Sequence, residues 1–255
     1  MRLHYLDSEI ASSQHMITVN LIGAGGTGSH MLTNLAILSS ALDRLGRQPL
    51  FVRVFDPDVI TSHNVGRQAF SKADIGKNKA DVLVSRCNRF FGTQWMSNPE
   101  MFKINQNDKN VSANFTISCV DSVHSRKEIY KKISSLSNLG FVYLYNKPVY
   151  WMDIGNSARS GQVILGTLMR SKQPPKSGGA IKLKTFFDEF KDAKDDDNEP
   201  SCSLAESLFK QDLFVNKMMA TYAADILWKL LYKFVIDYRG VYVNLDTLKS
   251  LPIPI

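Results

Sequence analysis

Short apolar runs alternate with stretches of helical periodicity over roughly the first half of the chain. The run at 17–23 is almost continuously apolar and ends at a glycine, which is typical of a strand buried on both faces of a sheet. The pattern predicts strands at 17–23, 50–55, 114–120 and 140–145, and helices at 28–42, 74–90 and 124–136. Strands that alternate with helices indicate an α/β, Rossmann-like fold, with a mostly parallel sheet and helices on both faces.

The pattern changes after about residue 148, where two strand-like runs flank a polar turn. Runs at 149–156 and 162–168 predict an antiparallel hairpin, which begins an antiparallel C-terminal extension. The segment 171–201 is rich in Lys, Asp, Pro and Gly and predicts a mobile crossover loop. The remaining predicted elements are a short helix at 186–190, a long apolar helix within 204–238 and a strand at 241–245. We expect one domain over 1–255, with 1–16 as an N-terminal extension.

Composition and charge restrict the class of protein but do not identify a function. The chain has 255 residues, of which 44% are hydrophobic and 22% charged, as in ordinary globular proteins. Neither a signal sequence nor a membrane-spanning run is visible, so we expect a cytoplasmic protein without a membrane partner. The net charge of +7 would attract polyphosphate or an acidic partner, although a plain basic surface explains it equally well. The basic residues are scattered, which argues against a nucleic-acid groove.

The three cysteines are Cys87, Cys119 and Cys202. They form no CxxC pair, so we expect free thiols and no zinc site. Cys202 follows the acidic end of the crossover segment and precedes an apolar helix. A thiol there could accept an activated acyl group as a thioester, and the alternative is a structural cysteine.

A glycine-rich loop follows the first predicted strand and opens a helix. Its candidate nucleotide-binding residues are Gly23, Gly25, Gly26, Gly28 and Ser29. Glycines at such a turn let backbone N–H groups approach a phosphate, and the helix N-terminus adds partial positive charge. Asp56 ends the next strand, where an acid can bind ribose hydroxyls. These features alone favour a nucleotide, with NAD as the default ligand, and the alternative is a purely structural turn.

Further polar residues change the expected ligand from NAD to ATP. Asn64, Arg67 and Gln68 follow the second strand, and Lys79 lies at a predicted helix start. A dehydrogenase does not need an arginine and a lysine behind its ribose acid. A triphosphate does, because its negative charge must be offset while pyrophosphate leaves.

Three segments, GAGGTGS (23–29), DPDVITSHNVGRQ (56–68) and DIGKNKA (74–80), together resemble the ThiF/MoeB family, which includes the adenylation domains of ubiquitin-activating enzymes. The likeness is strong over 17–79 and looser through SCVD (118–121). Within the family, EPSCSLAESLFKQD (199–212) most resembles ThiF-like proteins of bacterial PRTRC gene systems.

The resemblance implies an ATP-dependent adenylyltransferase that activates the C-terminal carboxylate of a small ubiquitin-like or sulfur-carrier protein ending in glycine. It implies that the loop glycines hold the nucleotide and that Asp56 binds ribose. Asn64, Arg67 and Lys79 would contact phosphates with support from Gln68, and Asp121 would hold Mg²⁺. It also implies a homodimer.

Two departures from the family keep other functions open. Relatives carry an arginine-rich segment before the first strand, but here only Arg2 precedes it, so the source of any arginine from a partner subunit is open. The zinc-binding CxxC motifs of many relatives are also missing. The alternatives are a non-catalytic ThiF-fold binding subunit and, leaving more residues unexplained, an NAD-dependent oxidoreductase.

Overall fold

The computed structural model describes residues 2–66, 68–103, 111–137, 144–174, 182–190 and 212–255. The strands and helices of this part are β1 (His4–Tyr5), α1 (Ser8–Ala11), β2 (Ile17–Ile22), α2 (Gly26–Arg44), β3 (Leu50–Phe55), α3 (Lys79–Phe91), β4 (Met96–Asn98), β5 (Phe115–Ser118), α4 (Val123–Ser137), β6 (Tyr150–Asn156), β7 (Ser160–Thr167), α5 (Phe186–Glu189), α6 (Val215–Lys233), β8 (Val235–Ile236), β9 (Tyr238–Asn244) and β10 (Lys249–Pro254). One sheet has the order β10-β9-β7-β6-β5-β2-β3-β4, and β1 pairs with β8 separately.

The parallel half of the large sheet comprises β6, β5, β2, β3 and β4, whose neighbours all run in the same direction. β3 lies on one side of β2 and β5 on the other, so the strand order reverses at β2. At such a reversal the loops after neighbouring strands diverge and leave a crevice at the carboxyl ends of the strands. The loops that follow β2 and β5 therefore border the expected ligand site.

Helices cover both faces of the sheet, as predicted. Successive residues of β2 point to opposite faces, and Leu21 and Ile22 belong to two separate hydrophobic cores. The core containing Leu21 is closed by α2, α3 and α6. The core containing Ile22 is closed by Ile129 and Ile133 of α4 and by Phe186 of α5. Burial on both sides explains why β2 shows a continuous apolar run rather than alternation.

The antiparallel C-terminal extension is also confirmed. β6 and β7 form the predicted hairpin, with register from Tyr150↔Thr167 to Asn156↔Gly161. β9 pairs with β7, and β10 covers the outer edge of β9. The sequence did not predict β10, because Pro252 interrupts the strand pattern and most of its residues are exposed. Proline is tolerated in an edge strand, where its missing N–H is not needed for a ladder.

The predicted strand at 140–145 is wrong where it can be examined. Leu144–Asn146 forms a 3₁₀ helix, while 138–143 lie outside the described residues. The side-chain amide of Asn114 donates to the backbone carbonyls of Tyr145 and Lys147, so these acceptors are not free for a strand ladder. The place beside β5 belongs to β6 instead.

The N-terminal segment packs beside β6, where the parallel half of the sheet meets the antiparallel half. β1 pairs with β8, and the His4 ring lies 3.0 Å from the Tyr150 hydroxyl of β6. The Asp7 backbone N–H donates to the same hydroxyl, and its carboxylate accepts from the Lys172 backbone N–H. Residues that carry a weak pattern in the sequence are therefore held by buried polar contacts together with Leu6 and Ile10 of the hydrophobic core.

The crossover segment predicted at 171–201 is described only in part. Residues 175–181 and 191–211 lie outside the described ranges, and the latter include 204–211 of the region predicted to hold the long apolar helix. Between them, Leu183 and Phe186 are buried, and α5 lies within the predicted 186–190. Across the described ranges, none of the helices is both long and apolar enough to cross a membrane.

Candidate functional site

A cleft of about 460 Å³ opens at the carboxyl ends of β2, β3 and β5. Its size lies within the range of small-molecule sites, roughly 300–1,000 Å³. The predicted site residues that line it are Gly23, Gly25, Gly26, Asp56, Gln68, Lys79 and Asp121. The strand-order reversal thus brings together residues that are almost one hundred positions apart in the chain.

Two glycines of the loop are required by close packing of the backbone. Gly23 has a φ of 90°, and a Cβ there would lie 2.7 Å from the Cys119 carbonyl oxygen. A Cβ on Gly28 would lie 1.9 Å from the Gly23 carbonyl oxygen. Any larger residue at Gly28 would push the loop away from α2, so these glycines fix its shape.

Gly25 has a different surrounding, because its Cα faces the cleft. The nearest atom to a Cβ at this position is Nε2 of Gln68, at 3.9 Å. Gly25 is the N-cap of α2 and supplies no side-chain hydrogen bond to the helix. The first N–H groups of α2 lack intrahelical acceptors, and the helix dipole makes this end positive. The cleft therefore contains a backbone site for an anion such as phosphate.

Asp56 lies at the base of the cleft and is 5% exposed. One carboxylate oxygen accepts from the Ala24 backbone N–H, and the other accepts from the Asp58 backbone N–H at 2.9 Å. Burial raises the pKa of the Asp56 carboxyl, while these two donors and Lys79 act in the opposite direction. Asp56 thus joins the glycine loop to the loop after β3, and its oxygens have lone pairs left for ribose hydroxyls.

Lys79 enters the cleft from the first turn of α3. Its Nζ lies 2.7 Å from Oδ2 of Asp58, and its backbone N–H donates to the Asp58 carbonyl oxygen. Asn78 caps α3 and its side-chain amide donates to the backbone carbonyls of Asp56 and Asp58. The loop after β3 and the start of α3 are therefore one hydrogen-bonded unit that presents an ammonium group to the cleft.

The other residues predicted to contact the nucleotide do not all lie in the cleft. Gln68 lines the cleft, and within the described part of the chain its Oε1 is buried without a hydrogen-bond partner. Asn64 lies outside the cleft lining, where its side chain accepts from the Thr61 backbone N–H and caps a 3₁₀ turn. Ser29 is fully buried, donating to the Gly26 carbonyl and accepting from the Ala69 N–H. Arg67 lies outside the described residues.

Asp121 lines the cleft just beyond the end of β5 and is exposed. The described residues contain no group of three or more His, Cys, Asp or Glu side chains that could hold a metal alone. Mg²⁺ commonly binds through one or two carboxylates together with substrate phosphates, so a single carboxylate opposite an anion site fits that mode.

The cysteines within the described ranges do not suit thiolate chemistry. Burial raises the pKa of the Cys87 thiol to about 11. Cys119 borders the cleft, where burial and then the nearby Asp153 carboxylate raise the pKa of its thiol further still. Cys202, the candidate thioester residue, lies outside the described residues.

Sequence reasoning missed a polar contact that closes the glycine loop from the opposite side. The Thr27 hydroxyl lies 2.9 Å from Oδ1 of Asn216 and 3.1 Å from Oδ1 of Asn156. A Cβ on Gly26 would lie 2.8 Å from the Asn216 side chain, so that glycine makes room for it. An asparagine in the first turn of an otherwise apolar helix was the available signal for Asn216.

An apolar wall faces this polar end of the cleft. Ile22, Phe55, Phe102 and Ile129 line the cleft and belong to one hydrophobic core. The rings of Phe55 and Phe102 meet edge to face, with centroids 5.0 Å apart. Apolar side chains beside an anion site and a buried carboxylate suit a ligand with a flat base, a sugar and phosphates.

A glycine loop at the switch point of a parallel sheet, with an acid after the next strand, is the arrangement of Rossmann-like nucleotide-binding proteins. The family model described as "ThiF family" matches residues 13–253 of the chain. The chain therefore belongs to the ThiF family. Among curated proteins, no significant sequence match was found.

Solved structures with the same fold include PaaA and E. coli MccB. PaaA is 15% identical with a TM-score of 0.58, covering 97% of this chain and 65% of that one. MccB with MccA-N7isoASN is 17% identical with a TM-score of 0.60, covering 96% and 65%. MccB with ATP is 17% identical with a TM-score of 0.53, covering 96% and 64%. The chain thus spans about 65% of the length of these structures, and at such identity the likeness shows the fold alone.

Proposed function

We propose that this chain catalyses the ATP-dependent adenylation of a carboxylate in a peptide or protein partner. The proposal is carried by one observation: the bare N-terminus of α2, the buried Asp56 and the Lys79 ammonium border the same cleft in a ThiF-family chain. An NAD-dependent enzyme would use the first two groups but not the third. A triphosphate uses all three.

ATP fits the chemistry of the lining. The apolar wall of Ile22, Phe55, Phe102 and Ile129 would take the base, and the Asp56 carboxylate would accept from the ribose hydroxyls. The backbone around Gly25 would hold phosphate at the positive end of α2. Gln68 brings a buried oxygen without a partner in the described structure, which a donor on the bound nucleotide would satisfy.

In the reaction, the acceptor carboxylate attacks the α-phosphorus of ATP. A new carboxylate oxygen–phosphorus bond forms, the bond to the bridging oxygen breaks, and pyrophosphate leaves with its electrons. Lys79 would offset the charge that gathers on the phosphate oxygens, together with Arg67. Asn64, the third predicted phosphate contact, lies outside the cleft lining. Mg²⁺ held by Asp121 would neutralise further phosphate charge. No side chain needs to move a proton, because the carboxylate is already a nucleophile.

The finer proposal is that the acceptor is a small ubiquitin-like or sulfur-carrier protein ending in glycine. It is supported by the resemblance of 23–29, 56–68 and 74–80 to enzymes that activate such proteins. The solved MccB structures add that a chain of this fold has been seen with ATP and with MccA. The PRTRC assignment, the homodimer and the single domain over 1–255 stay predictions, and light scattering would test the homodimer.

The test is exchange of labelled pyrophosphate into ATP, which reports reversible adenylate formation. We expect exchange only when an acceptor with a free C-terminal carboxylate is added, and none with the same acceptor amidated at its C-terminus. Small proteins ending in glycine should support exchange better than unrelated peptides. ATP binding without exchange for any carboxylate acceptor would instead favour a non-catalytic binding subunit.

A further inference from the structure

A buried guanidinium, that of Arg126, borders the cleft beside the turn that carries Asp121. Arg126, in the first turn of α4, is 5% exposed. Its Nη2 donates to the Val120 carbonyl at 2.6 Å, and its Nη1 donates to the Asp121 carbonyl at 3.3 Å. Both acceptors lie past the end of β5, beyond the residues that pair with β2 and β6. Arg126 therefore supplies hydrogen bonds that the sheet does not give to this turn.

The neighbouring strand holds Arg126 in place. Its Nε lies 3.1 Å from both carboxylate oxygens of Asp153, which is fully buried in β6. Asp153 also accepts from the Ser118 hydroxyl at 2.7 Å, and Ser118 accepts from the Trp151 indole N–H at 2.8 Å. Because each member has a partner, the buried charges are compensated and the guanidinium has a fixed direction.

This arrangement uses the shape of arginine and not only its charge. The three nitrogens of Arg126 reach a carboxylate on β6 and two carbonyls on the turn after β5. A lysine would bring the same charge to a single point and could not donate along these directions. The guanidinium carbon also lies 5.5 Å from the centre of the Phe186 ring of α5.

We propose that Arg126, fixed by Asp153, is a positioning residue that sets the direction in which Asp121 enters the cleft. The inference rests on the proposed function, since Asp121 is assigned there to the metal and phosphate end. Without the Arg126 guanidinium, the Val120 and Asp121 carbonyls would lose these donors and the turn could move. A displacement of about 1 Å at such a residue can reduce a rate on the order of 100-fold.

The variants are Arg126→Gln and Arg126→Lys, with Arg239→Gln and Arg239→Lys as matched controls. Arg239 is also buried, donates to a backbone carbonyl (that of Lys184) and pairs with a carboxylate, Glu189, but it lies in the antiparallel half. Binding of Mn²⁺, a spectroscopic substitute for Mg²⁺, is measured by electron paramagnetic resonance in the presence of ATP. ATP binding without metal, melting temperature and pyrophosphate exchange are measured on the same samples.

We expect Arg126→Gln to weaken Mn²⁺ binding on the order of 10-fold or more while metal-free ATP binding is kept. Arg126→Lys should bind Mn²⁺ about as weakly as Arg126→Gln, and neither Arg239 variant should change Mn²⁺ binding. Mn²⁺ binding by Arg126→Gln equal to that of Arg239→Gln, or full restoration by Arg126→Lys, would overturn the inference. If Arg126→Gln does not fold, Arg126→Lys carries the comparison. Wild-type protein that binds Mn²⁺ and ATP but exchanges no pyrophosphate contradicts the proposed function, while the Mn²⁺ comparison still decides the role of Arg126.

Discussion

In the parallel half of the sheet the glycines of the site lie in the loop after β2, whereas in the antiparallel half Gly166 and Gly240 lie within strands β7 and β9. A Cβ on Gly240 would lie 2.2 Å from the Val163 carbonyl oxygen, and one on Gly166 would lie 2.6 Å from the Thr185 Cα. In both halves glycine allows backbones to approach closely. Gly25 differs from these, because the space beside it faces the cleft.

Buried charge shows the same contrast. Arg126 with Asp153 and Arg239 with Glu189 both join a buried arginine to a carboxylate, and Arg126 donates to two backbone carbonyls where Arg239 donates to one. Arg126 borders the cleft, whereas the second pair joins α5 to β9. A buried arginine paired with a carboxylate is therefore not by itself a site residue, and its position relative to the carboxyl ends of the parallel strands makes the distinction.

The largest expected effect comes from the glycines that touch backbone. Gly28→Ala and Gly240→Ala each place a methyl group much closer to a carbonyl oxygen than van der Waals contact allows, so each should lower the free energy of unfolding by about 4 kcal/mol or more. Denaturant titration measures this. ATP should raise the melting temperature of Gly240→Ala, as it does for any intact site, but not that of Gly28→Ala. Equal stabilisation of both variants by ATP would remove the distinction between the two halves.

Lys79→Ala should have the second-largest effect, and it should lower the reaction rate rather than the stability of the fold. Removing a cation from the phosphates should lower the pyrophosphate exchange rate on the order of 100-fold, with little change in melting temperature. Lys77→Ala, two residues earlier and exposed, is the matched control. Asp58→Asn should lower exchange less, because Asp58 orients the Lys79 ammonium without providing the charge. Normal exchange by Lys79→Ala would show that its role is wrongly assigned.

Acid should loosen the N-terminal segment that packs beside β6. Burial lowers the pKa of His4 from 6.5 to about 4, and within the described residues its Nδ1 is buried without a partner. Neutral His4 therefore contributes stability that is complete above pH 6.5 and is lost progressively as the pH falls from 6.5 to 4. The expected loss is about 2–3 kcal/mol between pH 7 and pH 4.5.

The pH dependence of unfolding, compared between wild type and His4→Gln, tests this contribution. The buried groups beside His4 are the Tyr150 hydroxyl and the Asp7 segment, and both are kept in the variant. His15→Gln is the control, because His15 is exposed. If His4→Gln loses stability over this range as steeply as wild type does, then His4 is not the group responsible.

Cys202→Ala should have the smallest effect. Adenylate formation uses the acceptor carboxylate, so the variant should exchange pyrophosphate at the wild-type rate. Mass spectrometry of the protein with ATP and acceptor should also find no thiol-sensitive adduct that depends on Cys202. An adduct present in wild type and in Cys119→Ala but absent from Cys202→Ala would establish the thioester instead.

The sequence predicted the parts of the fold that depend on neighbouring residues. β3 has the predicted bounds, and the glycine loop leads from a strand into a helix, because continuous apolar runs and glycine turns are local signals. β10 was missed because an edge strand with prolines has no such signal. The strand predicted at 140–145 was wrong at its described end, because the side-chain amide of Asn114, distant in the chain, donates to the backbone carbonyls of Tyr145 and Lys147.

The candidate site was predictable as a set of residues but not as a set of contacts. Asp56 and Lys79, which the motifs grouped, both line the cleft. The Thr27–Asn216 contact spans 189 positions and the Arg126–Asp153 pair spans 27, and no local pattern links such residues. Asn64 caps its own turn, a role that its spacing from Asp56 could not distinguish from a phosphate contact.

The most direct test of the account is calorimetric titration of the wild-type protein with ATP and Mg²⁺ and, separately, with NAD⁺. The account predicts that ATP binds, that NAD⁺ binds far more weakly, and that Gly25→Ala loses most of the ATP affinity while keeping the wild-type melting temperature. Tight binding of NAD⁺ with no binding of ATP would contradict it.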